Sequence, residues 1–199
     1  MKKITIVIML FMSSGAWSYN ETDLLRLKAT NQCSYCDLSE ADLSKDAGFD
    51  LKDANLDSAN LSGANLVGTD LYDAFLYKAN FTGANLSQAN LKDVSATKSN
   101  FNGAKLNDAI FDSADLRESK FEGATLHSTS FKGALLERAS LKGASLLNTD
   151  FLYASLENAN LANTDFTSSN LRNTKGVVGA NGAEVCKTIM LWGELNDDC

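Results

Sequence analysis

Residues 54–71 read Ala-Asn-Leu-Asp-Ser-Ala-Asn-Leu-Ser-Gly-Ala-Asn-Leu-Val-Gly-Thr-Asp-Leu, and this stretch decides the fold. Leu56, Leu61, Leu66 and Leu71 stand five apart, and the residue two places before each (Ala54, Ala59, Ala64, Thr69) is small. An α-helix repeats its apolar residues every 3.6 positions and a half-buried strand every 2, so neither carries a period of five. Working outward, every fifth residue from Leu51 to Leu171 is Leu or Phe except Ala96, giving twenty-five units. The small-residue series also runs through Thr164 and Ser169, and Phe49 alone breaks it. A unit with one large and one small inward residue leaves three positions outside, so the chain winds as a coil with short flat sides.

A second period gives the number of sides. Gly63, Gly83, Gly103, Gly123 and Gly143 recur every twenty residues, and Asn163 takes the next place. Gly and Asn tolerate the positive φ that a type II turn demands at its third residue. Four units therefore complete one coil, with this turn expected at one corner. The other three corners carry mixed residues such as Asp53, Lys78 and Gln88. Stacking by twenty puts Phe81, Phe101 and Phe121 in one column and Phe111, Phe131 and Phe151 in another, where rings pack with favourable offset. Twenty-five units predict about six coils and a rod of roughly 30 Å at strand spacing. The absence of Pro fits a backbone in which each coil donates to its neighbour.

These residues resemble the pentapeptide-repeat family, whose unit is similar to Ala-Asn/Asp-Leu-X-X, over about 36–173. The resemblance implies an all-β, right-handed quadrilateral β-helix. Cys33-Ser-Tyr-Cys36-Asp-Leu and the terminal Val185–Gly193 segment resemble its secreted or lumenal branch. Expected divisions are a signal peptide at 1–18, an N-terminal cap with irregular repeats at 19–50, the β-helix at 51–173 and a C-terminal cap at 174–199. Leu38 and Leu43 belong to two earlier units, but eight residues separate Leu43 from Leu51, so Ser44–Gly48 is expected to bulge. Asn20 and Asp23 can cap a short helix whose Leu24, Leu25 and Leu27 cover the first coil. Val185–Met190 and Glu194–Cys199 can form a hairpin at the other end.

Lys2 and Lys3, the apolar run Ile4–Met12 and the small exit around Ala16 and Ser18 read as an export signal cut before Tyr19. The apolar run falls short of the ~20 residues of a spanning helix, so no membrane insertion follows cleavage. A periplasmic or secreted location is expected. There disulfides persist, and all four cysteines lie past the cut. A bridge between ends would have to span the rod, whereas paired Cα atoms lie within about 7 Å, so the expected pairs are Cys33–Cys36 and Cys186–Cys199. The alternative for Cys33 and Cys36 is a redox pair, against which stand the missing thioredoxin-like context and the inward position of Cys36.

No catalytic or metal-binding constellation stands out, and no cofactor is expected. His127 is the one histidine and sits at an outward position. The chain carries −7 formally, and without Lys2 and Lys3 it holds 16 basic against 25 acidic residues, which disfavours nucleic acid. Among outward positions Val67, Tyr72, Phe75 and Tyr77 are apolar. Tyr72, Phe75 and Tyr77 are expected around one corner, with Leu135, Leu152 and Tyr153 near it some coils later. This strip is the candidate surface for a protein partner or a second copy. The expected function is that of an exported, non-catalytic structural or interaction module. The alternative, implied by the resemblance, is a DNA-mimicking modulator of gyrase-type topoisomerases. That reading wants a concentrated acidic stripe, whereas residues 51–173 hold fourteen acidic and eleven basic residues, intermixed.

Overall fold

The structure is a computed structural model that describes residues 19–177 together with the short strands Thr188–Ile189 and Leu195–Asn196. The body is a four-sided parallel β-solenoid. Each side contributes one residue to a ladder of parallel bridges, and from Asn55 onward partners lie twenty residues apart, as in Asn55↔Phe75↔Ser95↔Asp115↔Leu135↔Ser155↔Lys175. We number the sides by their inward residues. Side one carries Leu56, Leu76 and Ala96; side two Leu61, Phe81 and Phe101; side three Leu66, Leu86 and Leu106; side four Leu71, Leu91 and Phe111.

Every inward large residue from Leu51 to Leu171 is at most 4% exposed. At roughly 1.5–3 kcal/mol for each fully buried Leu or Phe, this column of side chains is the main source of stability. Polar residues at the inward small position keep their hydrogen bonds. Thr69 Oγ1 donates to the Leu43 carbonyl at 2.7 Å, Thr129 to Leu106 at 2.8 Å, and Ser99 to Ala96 at 2.6 Å. A buried hydroxyl without such a bond would cost about 1–3 kcal/mol, so Thr and Ser can stand in for Ala here.

The corners differ from the sequence expectation. All twenty-five, not one in four, place their third residue at positive φ, from Asp53 at 52° to Gly83 at 68°, and eighteen of those residues are not glycine. The reason is the density of backbone bonds. The turn Leu51–Ala54 closes through Ala54 N–H to the Leu51 carbonyl at 3.1 Å, while Asp53 N–H donates to Tyr72 of the next coil at 2.9 Å. Held from both sides, an ordinary residue tolerates a conformation costing about 1–2 kcal/mol.

The regular stack also begins earlier than Leu51. Bridges Gln32↔Asn55, Asp37↔Asn60 and Asp42↔Asn65 span 23 residues, so Cys33, Leu38, Leu43 and Leu51 form a level below Leu56. The three extra residues are a 3₁₀ turn, Lys45–Ala47, with Ser44 at its start and Gly48 left-handed at its end. Cys33, Leu38 and Leu43 thereby add one inward residue to each of sides one to three, and all four ladders are seven inward residues deep.

Helix α1 spans Glu21–Thr30, with Asn20 Oδ1 accepting from Thr22 N–H and Asp23 N–H. Leu27 is buried in the core and Leu24 packs partly against it, but Leu25 faces outward at 61% exposure. Asp23 serves the solenoid rather than the helix start: its carboxylate accepts from Asp37 N–H at 2.9 Å. Phe49, large at that otherwise small position, packs half-buried against the core with Lys28 over its ring. At the far end, β1 (Thr188–Ile189) pairs antiparallel with β2 (Leu195–Asn196). The export signal and the Cys186–Cys199 pair lie outside the described residues. Among the described residues no helix is long and apolar enough to cross a membrane.

Candidate interaction surface

Cys33 and Cys36 form a disulfide with Cα atoms 5.2 Å apart. Cys33 takes the inward large position and Cys36 the inward small one, and both are buried. The bridge thus staples a four-residue turn that the bond from Cys36 N–H to the Cys33 carbonyl also closes, at 3.2 Å, with Tyr35 left-handed at its third position and 82% exposed. It occupies core volume instead of presenting a thiol to solvent. His127 Nε2 lies 2.8 Å from Ser145 Oγ on side three, and Asn107 Oδ1 accepts from the His127 backbone N–H. A serine and an imidazole in contact are two parts of an acyl-transfer site, but no carboxylate orients this ring among the bonds described. No group of three or more metal-ligating side chains occurs among the described residues.

The outward Asn and Asp residues act on the fold. An Asx preceding the inward Leu or Phe accepts, through Oδ1, the N–H of the residue after it: Asp57 N–H to Asn55, Val67 N–H to Asn65, Lys92 N–H to Asn90. Several also form ladders between coils, as Asn80 Nδ2 donating to Asn60 Oδ1 at 3.1 Å. Where that position is not Asx, an Asx one coil below takes over. Asp57 accepts from Tyr77 N–H, Asn102 from Glu122 N–H and Asp112 from Lys132 N–H. These bonds account for much of the Asn and Asp content without any ligand.

The predicted apolar strip is a side, not a corner. Phe75 stands at the middle of side one, half exposed at 50%. Tyr72 belongs to the corner leading into that side and Tyr77 to the corner leading out, because a unit's last two residues make the turn. Leu135 lies three steps along the ladder from Phe75, through Ser95 and Asp115. Leu152 and Tyr153 occupy the incoming corner one level further on; Tyr153 is exposed and Leu152 half-buried. Val67 is half-buried on side three's outgoing corner. Sequence reading passed over two exposed apolar residues, Ile110 in the middle of side four and Tyr35. Ile110 was legible as the one apolar residue in a ladder of Asp, Asn and Ser; Tyr35 was hidden by the cysteines around it.

Charged groups gather on the same part of the tube. All four ion pairs among the described residues involve side one, side four or their corners: Lys52–Asp70, Lys98–Glu118, Arg117–Asp115 and Lys132–Asp150. Arg117 donates to both Asp115 oxygens, at 2.8 and 2.6 Å, and holds that carboxyl below its usual range. Asp37 is also held low, first by the Ser39 hydroxyl and then by Ser39 N–H and Asn60, against the cost of burial. Beside Leu135, Glu137 Oε2 is buried with no hydrogen-bond partner among the described residues.

A four-sided stack of five-residue units, filled by one large and one small residue per side, defines a class of repeat proteins. Family models described as "Pentapeptide repeats (8 copies)" match residues 50–88 and 144–175, and one described as "Pentapeptide repeat region" matches 73–141. The chain belongs to the pentapeptide-repeat family. It is similar to HetL, a pentapeptide repeat protein involved in heterocyst differentiation regulation in the cyanobacterium Nostoc. Identity to HetL is 29%, covering 83% of this chain and 85% of that one, with a TM-score of 0.42. It is also similar to trypsin-treated QnrB1, a plasmid-mediated fluoroquinolone resistance protein, at 19% identity over 77% and 79% of the two chains, with a TM-score of 0.50. A third is a pentapeptide repeat protein of the Arabidopsis thaliana thylakoid lumen, 24% identical over 76% and 83%, with a TM-score of 0.23. The QnrB1 likeness bears on the fold alone. No protein with a curated description matches the chain.

Proposed function

We propose that this chain is an exported, non-catalytic interaction module: a right-handed solenoid covered at its first level by α1. One observation carries the reading. The interior is packed solid, while Tyr72, Phe75 and Tyr77 stay exposed together on a side that the fold could fill with Asn or Asp. Apolar groups held in water on a rigid surface are the ordinary mark of a docking site. The cysteine bridge and the Lys2–Ser18 segment support an oxidising destination, the periplasm or the medium. A photo-cross-linking residue at position 75, introduced in intact cells with compartments then separated, tests both parts. Adducts in the exported fraction are expected; adducts only with cytoplasmic proteins, or none, overturn it.

The alternative of a topoisomerase modulator draws on the shared fold and nothing more specific. A phosphate mimic needs a one-sign stripe, and side one instead sets Lys98 against Glu118 and Arg117 against Asp115. Inhibition of gyrase supercoiling by the purified chain at low concentration would reverse the order of the two readings.

A further inference from the structure

We propose that side one docks a second copy of this chain, antiparallel, about a two-fold axis passing between the Ser95 and Asp115 levels. The inference rests on the docking reading above and names its occupant. An axis lying in the contact plane and perpendicular to the tube reverses the order of levels and keeps each corner opposite its own kind. Phe75 and Leu135 lie equally far from that axis on one ladder, so each Phe75 meets Leu135 of the second copy. Their exposed side chains, 50% and 39%, bury one another.

The charges choose the same register. On the incoming corner Lys92 faces Asp112 of the second copy, and on the outgoing corner Lys98 faces Glu118. The latter contact adds to the ion pair those two residues already make within one chain. Tyr77 comes opposite Glu137, while Lys78 faces Arg138, a like-charge contact that weakens the interface. Because the interface is isologous, every one of these contacts occurs twice. Slipping by one level in one direction sets Lys92 against Lys132 and Lys98 against Arg138. Slipping in the other sets Lys52 against Lys132 and Asp57 against Glu137, with Phe75 on Asp115. Of the three, the register centred between Ser95 and Asp115 is the one that joins Phe75 to Leu135 and sets Lys92 against Asp112, and its like-charge contacts lie away from the axis. Asp57 and Glu157 meet at the outer rows and repel, which confines contact to the four central levels. Four levels cover roughly 15–20 Å of tube. The buried area is then well below the ~800 Å² per partner of a stable complex, so association is weak.

Sedimentation velocity of the purified full chain across roughly 10–1,000 micromolar reads this directly. The average mass is expected to rise towards a dimer. Phe75→Ser, Lys92→Glu and Asp112→Lys should each weaken association about tenfold, the loss of one good contact per half-interface. Combining Lys92→Glu with Asp112→Lys should restore it, because the two charges exchange places across the axis. Lys92 makes no ion pair within the described chain, so its variant tests the contact without disturbing the fold. A wild-type chain that stays monomeric throughout, or a double variant no better than the single ones, overturns the proposal. If the chain is monomeric while the position-75 cross-linker captures a different exported protein, self-docking fails and the docking reading stands. If neither association is seen, both fall.

Discussion

The rings of Phe101 and Phe121 lie one coil apart on side two with centroids 4.8 Å apart and planes 7° from parallel. Phe81 extends the stack at the same spacing, and Phe111 and Phe131 of the opposite side meet it edge-on, at 5.7 to 6.0 Å. The middle of the solenoid is thus an interlocked set of face-to-face columns and edge-to-face rungs. Phe101→Ala removes a ring that touches three others and is expected to cost about 3–5 kcal/mol. Phe101→Leu, which keeps most of the volume, should cost markedly less. Urea denaturation monitored by far-UV circular dichroism checks both, and equal losses would mean that ring geometry adds nothing beyond filling.

The Cys33–Cys36 bridge replaces a Leu and an Ala at the first level, next to α1. A loop of four residues limits the chain-entropy gain to about 2 kcal/mol. Cys33→Ser with Cys36→Ala should therefore lower stability by that order and leave the solenoid folded, since six levels stack beyond it. The midpoint of urea unfolding, measured for this variant and for wild type with and without reductant, gives the comparison. A fall far beyond 2 kcal/mol would show the bridge to be a nucleus of the fold rather than a local staple.

Much of this architecture is legible in the chain because its two periods are strict. The five-residue spacing of Leu56, Leu61 and Leu66 places the core, and the twenty-residue spacing of Gly63 to Gly143 sets the number of sides. The geometry of the other corners was not legible, because Lys78, Gln88 and Arg138 are not residues associated with positive φ; inter-coil backbone bonds impose it on them. The eight-residue gap before Leu51 pointed to a bulge. Its length alone could not say that Cys33 to Leu51 make a further level. Tyr72 and Tyr77 were recognised as outward, but placing them on either side of Phe75 requires knowing which residues of a unit turn and which lie flat.

Ala96 breaks the Leu/Phe series, and the residue two before it is Val94 where Ala is usual, so bulk has moved from the large inward position to the small one. The turn ending at Val94 is also the one between Leu51 and Thr174 without its closing bond, which would run from Val94 N–H to the Leu91 carbonyl. Ala96→Leu alone should overpack this level and cost about 1–3 kcal/mol. Adding Val94→Ala returns the volume and should bring stability to or above wild type. The pair forms a double-mutant cycle with a large favourable coupling, readable from two thermal melts. Additive effects would mean that the two positions are independent.

The Arg117 fork sets a pH dependence of known sign. It holds Asp115 below the value of about 3.9 expected for the unfolded chain. A depressed folded-state value means that the stabilisation is complete above the unfolded pKa and is lost as pH falls through the folded one. The pair is partly solvated, so its worth is small. Asp115→Asn should lower stability slightly at pH 7 and flatten the loss of stability below about pH 4. Urea titrations at pH 7, 4 and 3 compare the two chains; an unchanged acid limb would mean that the fork adds nothing measurable.

Gly103 and Gly176 both sit at positive φ, 65° and 83°, yet they are held there for different reasons. A Cβ added at Gly103 meets nothing within 4 Å, and eighteen other corners keep a side chain in the same conformation. A Cβ added at Gly176 would lie 2.5 Å from the Glu157 nitrogen and the Leu156 carbonyl carbon, backbone atoms of the last side-one unit that cannot step aside. Gly103→Asn, a residue suited to left-handed φ, should therefore change stability by less than about 1 kcal/mol, its strain offset by a less flexible unfolded chain. Gly176→Ala should cost more, about 1–3 kcal/mol, because it combines strain with a clash. Thermal unfolding of the two single variants separates them. If Gly103→Asn proved the more damaging, the glycine column would owe its place to something pressing on that corner from outside the coil, not to the turn.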